Sequence, residues 1–330
     1  MTCISRNIYA ETEEFYLLSL HILSLFQIPI HIFGTLIVIY KTPKAMEGVK
    51  YTMLLLHLAG GYLDIMLSLL SLAYVIYPSH SASLNGILFK IGVPIPLIGY
   101  LSLNSILILV GSIIIFFEER YNRLVRTDRN TQSRQLKRAV HHGVNFIFVF
   151  IVYIPAFLNM PDQEEGRKKD LLDYPCLPRS FIESPGYCKM PESMILSIGP
   201  LIFTMIFGTG QAFYFAFRTG LKLFETKAQS KRTSTMQKKF FFSLCIQVAV
   251  PILLIILPCL YIQITAIIGY VDLLFGNISM IWLSFHGTFS TIVMLFVHKP
   301  YRLATLHFFH LRKTAPTTPM LVAKTSVSRN

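Results

Sequence analysis

The strongest constraint on this chain is a set of long stretches almost free of charge. Residues 15–40, 91–117, 140–159 and 194–217 hold no Asp, Glu, Lys or Arg; 51–77 holds only Asp64, and 240–297 only Asp272. A bilayer core about 30 Å thick is crossed by about 20 apolar residues rising 1.5 Å each. The first five stretches each suit one crossing. The sixth would overshoot the membrane as one helix, so it reads as two helices joined by a turn near 265–272. The sequence therefore predicts an all-α membrane protein, a bundle of seven transmembrane helices, called here spans 1 to 7. Charged residues are 14% of the chain, against about 25% in soluble domains. A soluble globule of this length, a disordered chain, a disulfide-dense module and a coiled coil are all excluded.

Three regions follow: an N-terminal segment (1–14), the seven-span unit (15–297) and a tail (298–330). Residues 1–14 carry Arg6, Glu11, Glu13 and Glu14 and no apolar core, so they do not read as a cleavable signal. The longest polar stretch, 160–193, is too short to bury a core of its own. The two halves show no repeat of the kind many transporters carry.

The formal net charge is +13. Most of the basic residues fall after spans 1, 3 and 5 and in the tail, at 41–50, 120–138, 218–239 and 298–330. Basic loops mark the cytoplasmic side. The expectation is an N-terminus outside and a C-terminus in the cytoplasm, with the charge explained by topology and by anionic inner-leaflet lipid rather than by nucleic acid.

Inside the spans, Asp64 is the conspicuous group, because a carboxylate at membrane depth costs about 2.5–3.5 kcal/mol on insertion scales. His57 lies seven residues earlier on the same helical face, with Gly60 between them. Together they read as an internal polar switch with room for a sodium ion, or as a hydrogen-bonded structural group. Pro94 and Pro96 fall in span 3, Pro155 in span 4, Pro200 in span 5, and Pro251 and Pro258 in span 6. The last two are seven apart, so both bends point the same way, as a pivoting helix or a static bend requires. Cys176 and Cys188 share the loop after span 4 and are the expected disulfide, with Cys3 as an alternative partner for either. Cys245 and Cys259 in span 6 read as small buried apolar groups. The sequon Asn277-Ile278-Ser279 sits too close to the membrane for glycosylation. No H-E-x-x-H, G-x-S-x-G, glycine-rich phosphate loop or zinc spacing occurs, so no enzyme, cofactor or metal is called for.

The inner end of span 3 reads Phe117-Glu118-Glu119-Arg120-Tyr121-Asn122-Arg123-Leu124. Glu119-Arg120-Tyr121 resembles the acidic-Arg-aromatic triplet of G-protein-coupled receptors. Span 7 runs His286-Gly287-Thr288-Phe289-Ser290-Thr291 and ends His298-Lys299-Pro300-Tyr301-Arg302. Lys41-Thr42-Pro43-Lys44 follows span 1, and Pro161-Asp162-Gln163 follows span 4. Over nearly its whole length the chain resembles the nematode serpentine chemoreceptors of class H. The resemblance implies a plasma-membrane receptor of sensory neurons, in their cilia, that detects a small environmental molecule and activates a heterotrimeric G protein. It departs from rhodopsin-like receptors: span 7 has no Asn-Pro-x-x-Tyr and span 3 no outer cysteine. The expected switch pairs Arg120 with Glu119 at rest and frees Arg120 for the partner on activation. Thr314, Thr317, Thr318, Ser326 and Ser328 in the tail are candidate phosphorylation sites. The rival reading, a ligand-gated channel or transporter, needs a charged path through the membrane, and only Asp64 is charged at depth.

Overall fold

The structure, a computed structural model, describes residues 2–4, 6–225 and 231–309. The candidate phosphorylation sites Thr314, Thr317, Thr318, Ser326 and Ser328 lie outside the described residues. Among the described residues seven helices are long and apolar enough to cross a membrane: Glu13–Lys41, Glu47–Leu70, Ile95–Leu124, Gln132–Leu158, Gly199–Glu225, Gln237–Ile268 and Leu273–Val297. They are spans 1 to 7, and the chain is a multi-pass membrane protein. The long run 240–297 divides as composition demands. Span 6 ends at Ile268, and Gly269 takes φ +69°, a left-handed conformation that glycine adopts without penalty.

Short polar side chains start several spans by accepting otherwise orphaned N–H groups. Thr12 accepts from Phe15 N, Thr131 from Arg134 N and Asp272 from Phe275 N. Span 3 packs against spans 2, 4 and 5, while span 7 packs against spans 1, 2 and 6. Pro94 and Pro96 do not bend span 3; Pro94 is its N-cap and Pro96 lies in its first turn, where a missing N–H costs nothing.

Span 2 does not continue to Tyr77: its helix ends at Leu70, and Ala73–Ile76 forms a strand. The stretch 160–193 packs onto that strand, and its Leu177, Phe181, Ile182 and Tyr187 join the core of the bundle. Five short strands occur among the described residues: β1 Thr2–Ile4, β2 Ala73–Ile76, β3 Ser81–Leu84, β4 Tyr187–Lys189 and β5 Tyr270–Asp272. β2, β3 and β4 form an antiparallel sheet, with Ala73 opposite Leu84 and Ser83 opposite Tyr187. This sheet and the helix Gln163–Asp173 cap the end of the bundle where span 1 begins.

The cap is held by rings and by one buried ion pair. Tyr74 meets Tyr16 of span 1 at 5.1 Å and Phe181 at 5.7 Å between ring centroids, and Tyr16 Oη donates to the Ala73 carbonyl at 2.7 Å. Lys189 Nζ lies 2.5 Å from Asp170 Oδ1 and donates to the Ser79 carbonyl; Ser81 and Tyr187 hydroxyls donate to Asp170 Oδ2. A buried pair of charges persists when its remaining hydrogen-bonding positions are filled in this way. The expected Cys176–Cys188 bridge does not form. Cys188 is a free, buried thiol in β4, packed with Ala73, Leu84 and Ile98. Cys176 is itself disulfide-bonded; the side chain of Cys3, the other partner the sequence allows, lies outside the described residues.

A second clasp joins the N-terminal segment to the turn before span 7. β1 pairs with β5 in parallel. Arg6 reaches Asp272 through two hydrogen bonds, of 2.9 and 2.7 Å, and its backbone N–H donates to Glu11 at 2.8 Å. Burial pushes the Glu11 and Asp272 carboxyls up, but the hydrogen bonds from Arg6 outweigh it and hold both below their ordinary values. Asn277 is buried and donates to the Ala10 carbonyl, so the sequon is closed off by packing.

Candidate functional site

Three places on this bundle carry the groups that sequence alone could only nominate: a cavity under the cap, a polar centre at mid-depth, and a charged cluster at the opposite, basic end.

The cavity has two adjoining lobes of about 100 Å³ each. Val75 and Tyr77 of β2 and its continuation, Ser102 and Leu103 of span 3, and Ser197 and Ile198 before span 5 line both lobes. The upper lobe is closed by β3, β4 and Phe157; the lower reaches Tyr153 of span 4, Cys259 and Gln263 of span 6, and Met280 of span 7. The break in span 4 explains how Tyr153 gets there. Pro155 cannot continue the hydrogen-bond ladder, and the regular helix stops at Ile151 and resumes at Ile154. The chain turns at that point, so Tyr153 is 0% exposed while Ile151 and Ile154 remain 53% and 40% exposed. Its hydroxyl has no partner among the described residues.

At mid-depth Asp64 is fully buried and surrounded by donors. Oδ1 accepts the Gly287 N–H at 2.9 Å; Oδ2 accepts the Thr288 N–H at 2.6 Å and the Thr288 hydroxyl at 2.8 Å. His31 Nε2 of span 1 stands 3.1 Å from Oδ2, and His286 Nδ1 of span 7 stands 3.1 Å from Oδ1. In a regular helix the N–H groups of 287 and 288 would serve the carbonyls of Leu283 and Ser284. Those carbonyls also have side-chain partners: His286 Nδ1 at 3.0 Å and Gln27 Nε2 at 2.5 Å. Asp64 thus clips span 2 onto the backbone of span 7. The approach needs two glycines: a β-carbon on Gly287 would fall against the Gly60 carbonyl and 2.9 Å from Asp64 Oδ1.

His57 does not touch Asp64. Its Nε2 lies 3.0 Å from the His31 carbonyl and 3.1 Å from Thr35 Oγ1, and Thr291 Oγ1 lies 3.2 Å from its Nδ1. The shared face that the seven-residue spacing predicts is real, but Asp64 finds its partners across the helix interfaces. The Asp64 oxygens are instead served by the N–H groups of Gly287 and Thr288 and by the Thr288 hydroxyl, with His31 and His286 beside them. Among the described residues no group of three or more His, Cys, Asp or Glu is arranged to hold a metal.

At the basic end the expected Glu119–Arg120 pair is absent. Neighbouring residues on a helix do not face each other, whereas residues four apart do. Glu119 therefore pairs with Arg123 on its own helix and with Arg138 of span 4. Glu118 is buried and binds Arg134 at 2.6 Å, Arg138 at 2.9 Å and His142 at 3.3 Å. Arg120 points the other way, into the bundle. Its guanidinium sits 4.6 Å from the centroid of the Phe240 ring, at the inner end of span 6. Phe240 in turn meets His298 (5.7 Å between centroids), His298 Nε2 lies 2.7 Å from Gln247 Oε1, and His298 meets Tyr301 at 5.7 Å. Burial pushes the His298 imidazole down to about 4, with the charge of Arg120 acting in the same direction, so it is neutral at physiological pH. Tyr301, on the helix Lys299–Phe308 that follows span 7, reaches Thr42 at the end of span 1 at 2.8 Å. Tyr121 is buried against Phe215 of span 5. The end result is a latch from span 3 through span 6 to the end of span 7.

Of the pivot prolines, Pro258 is buried and the helix Lys231–Ile268 runs through both positions; the side chain of Pro251 lies outside the described residues.

Two comparisons bear on this arrangement. The family model described as serpentine type seven-transmembrane GPCR chemoreceptor Srh matches residues 11–311. The chain is also similar to serpentine receptor class H-72 of Caenorhabditis elegans, 25% identical over 313 residues that cover 91% of this chain and 87% of the relative.

Proposed function

Because the chain belongs to the Srh family of serpentine seven-transmembrane chemoreceptors, we propose that it binds a small environmental molecule in the cavity under the cap and activates a heterotrimeric G protein at the basic end. The observation that carries the reading is that spans 3 and 6 build both places. Ser102, Leu103 and Ile106 of span 3 and Cys259, Ile262 and Gln263 of span 6 line the lower lobe, while Arg120 and Phe240, from the same two helices, form the latch. Ser102 and Arg120 are separated along span 3 by roughly 27 Å, at 1.5 Å per residue.

The mechanism is a shift between two packings. A ligand that fits better when spans 3 and 6 are repacked favours that state by its differential affinity alone. The repacking pulls Phe240 from Arg120 and leaves a cation at the inner membrane edge for the partner. The basic loops support a cytoplasmic position for this end under the positive-inside rule, with the cap outside; the site of action is the plasma membrane of a sensory cell and its cilia. Asp64 keeps spans 1, 2 and 7 together while spans 3 and 6 move.

The test is a reporter cell line carrying the receptor, screened against a panel of odorants. The expected result is a ligand-evoked, G-protein-dependent signal that disappears in Arg120→Ala while surface expression persists. An undiminished signal in that variant, or a ligand-evoked current from purified receptor in liposomes without G protein, would contradict the proposal.

A further inference from the structure

The cavity also bears on the chemistry of what enters it. Among the described residues neither lobe is lined by Asp, Glu, Lys or Arg, burial pushes the upper lobe's His80 below its ordinary value, and apolar side chains make most of the wall. A charged ligand there would forfeit its hydration without a counter-ion, a penalty of many kcal/mol in a low-dielectric site. Two lobes of about 100 Å³ each suit a molecule of about six to ten non-hydrogen atoms, since a cavity of about 150 Å³ holds benzene.

The polar groups on the wall narrow this further. Ser102 Oγ already donates to the Ile98 carbonyl at 2.8 Å, and Ser197 Oγ to the Ser193 carbonyl at 3.0 Å. Gln263 is half-buried and brings both a donor and an acceptor, so it does not discriminate. The upper lobe adds His80 and Ser81, whose hydroxyl donates to Asp170 Oδ2, and the half-buried Tyr77 lines both lobes. Tyr153 differs from the half-buried groups in its burial and from the serines in its hydroxyl. It is fully buried, it lines the lower lobe, and its hydroxyl has no partner among the described residues. A buried donor without an acceptor costs about as much as a lost hydrogen bond, and pockets set specificity with few such groups.

We infer that the receptor's ligand is a neutral, mostly apolar molecule with one carbonyl-type oxygen, and that Tyr153 donates its hydroxyl proton to that oxygen. The inference deepens the proposed function and rests on the cavity's being the ligand site. It gives Tyr153 a binding role that no span-level argument provides.

The experiment uses the full-length receptor in lipid nanodiscs. The probes are the straight-chain 2-ketones from butanone to nonanone, the matched alkanes, and a carboxylate and an amine of equal length. Affinity is read from ligand-induced thermal stabilisation, with empty nanodiscs as the partition control. Tyr153→Phe removes only an unpaired hydroxyl, so the variant folds. Ketones of about six to ten heavy atoms should bind the wild type, and Tyr153→Phe should weaken them about tenfold while leaving the alkanes unchanged. Carboxylate and amine should not bind. Equal ketone affinity in Tyr153→Phe, a charged probe bound as tightly as the ketone, or no binding across the ketone series would each overturn the inference. A G-protein assay on the same samples separates the two readings. Tyr153-dependent binding without G-protein activation sinks the receptor mechanism and keeps the ligand class. Ketone-evoked signalling that Tyr153→Phe does not weaken does the reverse.

Discussion

Phe240→Ala removes the ring that lies 4.6 Å from the Arg120 guanidinium and 5.7 Å from the ring of His298. A cation over a ring is worth about 0.5–1 kcal/mol when exposed and about 2 kcal/mol when desolvated. Arg120 is half-buried, so a loss of about 1–2 kcal/mol from the closed packing is expected. Each 1.4 kcal/mol is tenfold in an equilibrium, and while the open state is minor its population rises in proportion. Ligand-independent signalling should therefore increase about five- to thirtyfold. The assay is constitutive G-protein output in reporter cells, normalised to receptor counted at the surface through an N-terminal tag. Phe240→Leu keeps apolar bulk without a ring face and should behave like the alanine variant; Phe240→Tyr should stay near wild type. Unchanged basal output in Phe240→Ala at matched surface level would refute the reasoning, and a wild-type-like Phe240→Leu would show that bulk rather than the ring face holds Arg120.

Three further outcomes follow from the geometry. Gly287→Ala drives a β-carbon into the Gly60 carbonyl and Asp64, whereas one on Gly276 meets nothing within 4 Å; only the first should lose folded receptor in a fluorescence size-exclusion assay. Asp64→Ala strands the Gly287 and Thr288 N–H groups and both histidines, and should cost about 3–5 kcal/mol, read as a lower melting temperature in nanodiscs, with Asp64→Asn in between. The clasp at Arg6 gives a pH dependence: Glu11 and Asp272 are held below their ordinary values, so their stabilisation is present above those values and is lost as the pH falls through the depressed ones. Melting temperature should drop as the pH falls below about 4, and Arg6→Ala, whose carboxyls are no longer depressed, should lose less over the same range.

The membrane architecture was legible because lipid imposes it: a charge-free run of twenty residues has few other uses. The cap was not. Ala73–Ile76 is as apolar as the span that precedes it, and a short buried strand cannot be told from helix by composition. Only Pro78, just beyond it, hinted that the helix had stopped. The partners of Asp64 were missed for a related reason. Spacing along one helix found His57, but the carboxylate is served by His31, Gly287 and Thr288 on other spans, and no periodicity within span 2 reports what faces it. Gln27 and His31 at i, i+4, with Ser284, Thr288 and Thr291 at i, i+4, i+7 in span 7, formed the available signal: two helices with polar residues concentrated on one face. Glu119-Arg120 was read as a pair because the residues are adjacent, yet adjacency on a helix separates side chains by about 100°. That same separation is what sends Glu119 to Arg138 and Arg120 to Phe240.

The claim that binding under the cap opens the far end is tested most directly by a distance. Spin labels at Thr127 and Lys239, both exposed, report the separation of the inner ends of spans 3 and 6 in the full-length receptor. Addition of a ketone that stabilises the receptor should move the pulsed-resonance distance distribution to longer values, and Tyr153→Phe should shift the concentration at which it moves. A distribution unchanged at saturating ligand would contradict the account.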